Sequence, residues 1–161
     1  MADAAVQTAG IDDQSRLVAA IVLAFSVDPA ARWTYPAPEN YLKHFPDLVW
    51  IFGGPAVERR TAHFIGDAQA AALWLAPGVQ PDEPHWYLPL IGVNPAQQGK
   101  GYGSALLKHA LRLCDEDGTL AYLESSNPKN IPLYQRHGFQ VLGTIQVGNS
   151  PPITPMLRRA G

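Results

Sequence analysis

The 161-residue sequence predicts a mixed β-sheet covered by helices and built around one central strand–helix–strand unit. The first strand of this unit ends at Asn94-Pro95, since the residue before proline is disfavoured in the helical region. From Ser104 onward, apolar residues recur at helical spacing and charged residues take the other face. Residues 120–124 then form the second strand of the unit.

The segments before this unit predict two helices. Residues 1–10 are alanine-rich and are either frayed and disordered or a weak first strand. A first helix is predicted from Asp12-Asp13, which can cap it, to Asp28-Pro29, which stops it. A second helix begins near Pro38, and Pro46 is expected to break or kink it, because proline lacks the N–H that a helix interior needs.

The remaining segments predict strands. Residues 60–65 and 70–75 form an antiparallel hairpin, and residues 86–93 form one long strand leading into the central unit. Residues 141–147 and 153–158 are the last two strands. The length of 161 residues and the composition, with enough apolar residues for a core, predict that the whole chain forms a single domain.

Composition excludes several classes of function. A formal net charge of −2 leaves no basic stripe, so nucleic acid is not an expected partner. No apolar run is long enough for a bilayer, and the N-terminus lacks the pattern of a signal peptide, so no membrane association is expected. The single cysteine cannot form an internal disulfide, which favours the cytoplasm. The histidines show no paired ligand spacing, so no metal site is predicted.

Three glycines, Gly99, Gly101 and Gly103, precede the central helix at alternate positions. Without a Cβ they allow backbone N–H groups to approach a ligand closely, and the unpaired amides of the first helical turn favour a phosphate. The spacing does not fit a Walker loop, and the dinucleotide pattern G-x-G-x-x-G lacks its last glycine. A pyrophosphate site is predicted, although a glycine-rich turn without a ligand remains an alternative.

Two motifs in this order resemble those of the GNAT superfamily of acyl-CoA-dependent N-acetyltransferases. The first is QGKGYG at residues 98–103, and the second is LESSNPKNIPLYQRHGF at residues 123–139. Residues 85–93 and the second motif more narrowly resemble puromycin N-acetyltransferase and related bacterial enzymes. The resemblance covers the chain well from Trp74 onward, and it implies a GNAT-like, mostly antiparallel sheet around an acyl-CoA-binding unit.

The resemblance implies acetyl-CoA as the cofactor. Its pyrophosphate would bind to the loop that contains Gly99, Gly101 and Gly103, called the glycine loop below. The strand before the loop would supply main-chain groups to the pantetheine arm. The second motif would add Asn127 and Asn130, although Asn127 shaping the turn is the alternative. The residues expected to bind the coenzyme are Ile91, Gly92, Val93, Gln98, Gly99, Lys100, Gly101, Tyr102, Gly103, Ser104, Asn127 and Asn130.

Tyr134 and Glu124 are the candidate catalytic residues. Asn130 is expected to cap a short helix ending before Gly138, which places Tyr134 about one turn from the positive helix end. The family's tyrosine at this position is the general acid that protonates the departing thiolate, whereas a purely packing role is the alternative. Glu124 at its strand end is the first candidate for the base that deprotonates the amine, with a loop-capping role as the alternative and His85 as the next candidate.

Cys114 is not expected to act as a nucleophile, because it lies on the apolar face of the central helix near two acidic residues. Direct transfer in a ternary complex is therefore favoured over an acyl-enzyme. The acceptor is expected to be a primary amine of a small molecule, and a non-catalytic acyl-CoA-binding or sensory domain, or a protein N-acetyltransferase, are the alternatives. A homodimer is a further expectation.

Aromatic residues suggest the walls of the acceptor pocket, although aromatic side chains in such segments equally often fill a core. The proline-rich residues 76–84 are expected to form a loop at its rim. The predicted pocket residues are Trp33, Tyr35, Trp74, His85 and Trp86.

Overall fold

The computed structural model describes residues 4–78 and 84–161, which form one seven-stranded sheet flanked by helices. The strands are β1 (Val6–Thr8), β2 (Ala62–Ile65), β3 (Ala70–Leu75), β4 (His85–Val93), β5 (Leu120–Ser125), β6 (Gln140–Val141) and β7 (Thr154–Arg158). They lie in the order β1-β2-β3-β4-β5-β7-β6, and every neighbouring pair is antiparallel except β4 and β5, which are parallel. The predicted mixed, mostly antiparallel sheet with a central strand–helix–strand unit is confirmed.

Helices cover both faces of the sheet. They are α1 (Gln14–Ala24), α2 (Pro29–Thr34), α3 (Pro38–Glu58), α4 (Tyr102–Asp117) and α5 (Ile131–Arg136). Residues of α1, α2 and α3 share one buried apolar cluster with the sheet, and α4 shares the other. Leu73 and Trp74 illustrate the division, since neighbours on a strand point to opposite faces and these two belong to different clusters.

Of the two effects expected of Pro46, a break or a kink, the break is wrong, because α3 continues through both Pro46 and Pro55. Its apolar side, including Tyr41, Phe45 and Val49, is buried against the sheet side of the molecule. A proline inside a helix costs about 3 kcal/mol, whereas burial of each large apolar side chain stabilises by about 1.5–3 kcal/mol. The packing of the whole helix therefore outweighs the local penalty.

Two other segments differ from the secondary structure that the sequence predicts. Residues 31–36, between the two predicted helices, mostly lie in a further helix, α2, which Asp28 caps through a hydrogen bond from the Ala31 amide to Oδ1 at 3.0 Å. The strand predicted over residues 141–147 is reduced to β6 and one bridge between Ile145 and Ile153. The apolar side chains of this segment remain exposed, so burial adds little to hold a longer ladder.

Of the two alternatives for residues 1–10, the strand is observed, since β1 pairs with β2. Part of the predicted loop at residues 76–84, namely residues 79–83, lies outside the described residues. Within the described residues, no helix combines the length and apolar character needed to cross a membrane.

The sheet divides at its centre, between β4 and β5. The two strands pair only from His85 to Leu88 on β4, opposite residues 120–123 on β5. At the same level the β3–β4 register shifts, because Leu73 pairs with Leu90 whereas Leu75 pairs with Tyr87. Beyond this point β4 continues along β3, and β5 continues along β7. A gap therefore opens between the ends of the two parallel strands.

Candidate active site

A groove of about 640 Å³ occupies the gap between β4 and β5. Its walls come from β4, the glycine loop, the start of α4, the end of β5 and α5. The predicted coenzyme-binding residues that line it are Ile91, Gly92, Val93, Gln98, Gly99, Gly101, Tyr102, Gly103, Ser104, Asn127 and Asn130. Both predicted catalytic residues, Glu124 and Tyr134, line it as well. The fold thus brings the two sequence motifs to one cleft.

The glycine loop has a backbone that side chains rarely adopt. Gly99 and Gly101 have φ angles of +78° and +82°, and a Cβ at either position would meet no atom within 4 Å. The glycines are therefore required by the left-handed conformation rather than by crowding within the protein. Gly103 is buried, and its Cβ would come within 3.4 Å of Leu133.

The start of α4 leaves backbone donors free beside the groove. The Ala105 amide makes the first helical hydrogen bond, to the Gly101 carbonyl at 2.9 Å. The preceding amides of Tyr102, Gly103 and Ser104 have no helical acceptor, as is general for a first turn. These donors, the open space above the glycines and the helix dipole together fit a pyrophosphate group.

The cations at the groove differ from the expected one. Lys100 was predicted to bind the coenzyme, but its Nζ donates to Gln97 Oε1 at 2.6 Å, and Lys100 is not among the described residues that line the groove. Lys129 and Arg136 do line it, and both lie within the second motif. Ser104, also in the wall, lies with its Oγ 2.7 Å from Nε2 of His137. This contact joins the start of α4 to the end of α5.

Tyr134 presents a protonated phenol to the groove. Its side chain is only 5% exposed, and its ring packs against Phe139 with centroids 6.2 Å apart. Burial raises the pKa of its hydroxyl above the usual value, and the negative charge of Asp28 raises it further. Such a group holds its proton at neutral pH and is suited to donate it.

The two asparagines of the second motif differ in their side-chain hydrogen bonds. Asn127 caps the short 3₁₀ turn Pro128–Asn130, since its side chain accepts a hydrogen bond from the Lys129 amide at 3.1 Å. Asn130 occupies the N-cap position of α5, as predicted, but its side chain makes no capping hydrogen bond. The 3₁₀ turn gives Asn130 a helical backbone, whereas a capping side chain usually needs an extended one.

Glu124 stands at the end of β5 with its carboxylate held by two phenols. Oε2 accepts from the Tyr87 hydroxyl at 3.2 Å, and Oε1 accepts from the Tyr122 hydroxyl at 2.9 Å. Burial raises the pKa of Tyr122 to about 12, and the hydrogen bond to Glu124 adds to this shift. Both phenols therefore remain hydrogen-bond donors, and each carboxylate oxygen keeps a lone pair for an incoming N–H group.

A second cavity of about 270 Å³ adjoins the groove. The two share the residues Phe25, Asp28, Pro89, Glu124 and Ser126. The other residues that line the second cavity come from α2, α3, β4 and the start of β7, and they are Ala30, Ala31, Thr34, Tyr35, Phe45, Leu48, Tyr87, Leu90 and Ile153. The second cavity is thus reached from the groove at the position of Glu124.

Asp28 lies at the junction of the two cavities and is only 6% exposed. Its Oδ2 accepts a hydrogen bond from the Ser126 hydroxyl at 2.6 Å, while Oδ1 caps α2. In the sequence, Asp28 indicates only the end of the first helix, and no motif gives Ser126 a role. An Asp-Pro pair does signal a helix start, but no local pattern indicates that this carboxylate meets residue 126.

Only one of the five predicted pocket residues, Tyr35, lines the second cavity. Trp33 is 52% exposed on α2, and His85 at the start of β4 contacts the Tyr122 ring with centroids 5.9 Å apart. Trp74 and Trp86 are 0% and 6% exposed in the cluster beneath α4, so they belong to the core on the other face of the sheet. The prediction that Trp74 and Trp86 line the pocket is therefore wrong, because their strands direct both side chains to the opposite side of the sheet.

Cys114 is fully buried on α4, where its Sγ contacts the Ala110 carbonyl at 3.5 Å. Burial raises the pKa of its thiol to about 12, which suppresses the thiolate form. This placement agrees with the prediction that Cys114 is not a nucleophile.

The structure is similar to solved acetyltransferase structures. A structure described as histone acetyltransferase HPA2 and related acetyltransferase, from Corynebacterium glutamicum, matches 98% of this chain and 97% of its own with a TM-score of 0.82 and 26% identity. PaiA N-acetyltransferase from Thermoplasma acidophilum in complex with coenzyme A matches 96% and 98% with a TM-score of 0.67; its 14% identity shows the shared fold alone.

A curated relative, an uncharacterized N-acetyltransferase of Schizosaccharomyces pombe, is 43% identical over 58 residues, which are 36% of this chain. The matched parts of the chain span between 24% and 37% of the length of three curated relatives. The family model for acetyltransferases of the GNAT type matches residues 19–139, which contain both motifs and all the described residues that line the groove. The chain therefore belongs to the acetyltransferase (GNAT) family.

Proposed function

We propose that this protein is an N-acetyltransferase that transfers an acetyl group from acetyl-CoA to a primary amine of a small molecule, by direct attack in a ternary complex. The observation that carries the proposal is the junction of two cavities. A groove that begins at the glycine loop reaches Tyr134, and it meets a second, separate cavity at Glu124. Two reactants could therefore approach each other from different sides.

The groove has features suited to coenzyme A along its length. The glycine loop and the free amides of α4 would hold the pyrophosphate, with Lys129 and Arg136 as nearby cations. The edge of β4 beyond Leu88 has no strand partner on the β5 side, so its main-chain groups are available to the pantetheine arm. When bound, the coenzyme supplies the acetyl group as a thioester, which is activated toward attack by nitrogen.

The two catalytic candidates divide the proton transfers. Glu124 accepts a proton from the acceptor ammonium, and Tyr134 donates its proton to the departing sulfur. A carbon–nitrogen bond replaces the carbon–sulfur bond. The ammonium loses two protons in all: one reaches solvent through Glu124, and the other restores the proton that Tyr134 has given. The products are the N-acetylated amine and the free thiol of coenzyme A.

Direct transfer is favoured because Cys114, the single cysteine of the sequence, is buried beneath α4 with its thiol protonated. The size of the second cavity supports a small acceptor, since about 270 Å³ is just below the 300–1,000 Å³ typical of sites for drug-sized ligands. The resemblance to puromycin-type enzymes thus points to shared motifs rather than to puromycin as the acceptor. A homodimer stays a prediction, to be checked by sedimentation.

The proposal is tested by incubating the protein with acetyl-CoA and a panel of amines and measuring the thiol of coenzyme A that is released. Release that depends on a small amine, with the acetylated amine found by mass spectrometry, is the expected result. Tight binding of acetyl-CoA without release for any amine would instead identify a binding or sensory domain. Release only with peptides or proteins would identify a protein acetyltransferase.

A further inference from the structure

The second cavity combines an acidic mouth with an apolar interior. Asp28 and Glu124 both lie at the mouth that the cavity shares with the groove, and no lysine, arginine or histidine is among the described residues that line the cavity. Arg32, on neighbouring α2, donates to the Pro36 carbonyl at 2.7 Å and does not line the cavity. A positive charge is therefore favoured at the mouth.

Beyond the mouth, the walls offer apolar and aromatic surface. Phe25 and Phe45 lie with ring centroids 5.7 Å apart, and Tyr35 meets the Phe45 ring edge-on at 6.3 Å. Leu48, Leu90 and Ile153 complete this surface. The Thr34 hydroxyl, a polar group of the same wall, already donates to the Ala30 carbonyl at 2.9 Å. An apolar body fits these walls, whereas a second charge or a peptide group would lose its hydration with little compensation.

From this arrangement we infer the class of acceptor: a primary monoamine on a short apolar or aromatic body, with no carboxylate next to the amine. The inference rests on the proposed function and adds the acceptor to it. The ammonium would lie between Asp28 and Glu124, with the body directed toward Phe45 and Leu48. Asp28 is the positioning residue, because its carboxylate is fixed by the Ser126 hydroxyl and the Ala31 amide.

The same charges exclude other amines. A carboxylate beside the amine, as in an amino acid, would face both acidic side chains, and like charges brought together cost several kcal/mol. A polyamine would place further ammonium groups against Phe45 and Leu48, where the described walls provide no carboxylate. The charges at the two ends of an amine therefore determine whether the second cavity accepts it.

The probes are 2-phenylethylamine, L-phenylalanine and spermidine. Binding of each is measured by calorimetry with coenzyme A present but no acetyl donor, and transfer is measured separately as thiol release from acetyl-CoA. We expect 2-phenylethylamine to bind and to be acetylated with a kcat/KM at least about 100-fold above that of L-phenylalanine or spermidine, which corresponds to the like-charge or burial cost.

Three variants locate the effect. Asp28→Asn keeps the shape and the capping oxygen but removes the charge, so it should weaken binding of 2-phenylethylamine at least about tenfold and leave coenzyme A binding unchanged. Leu48→Trp should fill the cavity, so it should also weaken binding of 2-phenylethylamine and leave coenzyme A binding unchanged. Asp47→Asn, at an exposed position of α3, removes an equal charge elsewhere and is the matched control.

The outcomes separate the acceptor class from the proposed function. Binding of 2-phenylethylamine without transfer to any amine would support the acceptor class and overturn the function. Transfer to L-phenylalanine or spermidine with equal or higher kcat/KM would support the function and overturn the acceptor class. Equal amine affinity in Asp28→Asn and the parent would also overturn the role of Asp28.

Discussion

Replacing Tyr134 by phenylalanine removes one hydroxyl and keeps the ring that packs against Phe139. If this hydroxyl protonates the departing sulfur, kcat should fall, since general acid catalysis contributes about 100- to 10,000-fold. The groove of about 640 Å³ has room for water beside the hydroxyl, and water can replace part of the donor's effect. We therefore expect a loss near 100-fold, or about 2.7 kcal/mol of transition-state free energy.

The assay measures kcat at saturating substrates and the dissociation constant of coenzyme A for both proteins. A matched control is Tyr41→Phe, because Tyr41 is a buried tyrosine whose hydroxyl donates to the Val22 carbonyl at 2.5 Å, away from the groove. The control should lose about 1–3 kcal/mol of stability and keep kcat. Equal kcat for Tyr134→Phe and the parent would refute the general-acid role. Weaker coenzyme A binding at unchanged kcat would make Tyr134 a binding contact.

Three other substitutions test the rest of the site and the fold. Glu124→Gln keeps one accepting oxygen for the Tyr87 or Tyr122 hydroxyl, presents its NH2 as a donor to the other, and removes the base. The kcat/KM should fall about 100-fold or more with coenzyme A affinity retained; an unchanged kcat/KM would assign deprotonation to another group. Gly101→Trp should abolish the rise in melting temperature that acetyl-CoA produces, since φ is +82° and the side chain would cover the amides; a preserved rise would remove the loop from the site. Burial, together with the nearby charge of His109, lowers the pKa of His63 from its usual 6.5 to about 4. The folded protein therefore favours neutral His63, and the stability that is fully present above pH 6.5 falls by up to about 3 kcal/mol as the pH falls toward 4. His63→Phe should reduce this loss in urea unfolding at pH 7 and pH 4.5, and an identical loss in both proteins would contradict the assignment.

Much of the architecture was determined by local sequence. The helical spacing after Ser104, the proline that ends the strand at Asn94 and the glycines with left-handed φ angles each act within a few residues. Such short-range constraints need no knowledge of distant contacts, so the longer helices, the strands of the central unit and the glycine loop could be predicted. The second motif is equally local, and Tyr134 was found from it.

The tertiary structure decided which distant side chains meet. Asp28 and Ser126 are 98 positions apart, and only the folding of the α2 start against the end of β5 brings their oxygens to 2.6 Å. The sequence likewise did not determine on which side of the sheet Trp74 and Trp86 lie. Strand alternation shows which residues share a face of the sheet, but it does not show which helices cover that face. Pro46 is accommodated within α3 for the same reason: burial along a whole helix is a sum over contacts that no local sequence pattern contains.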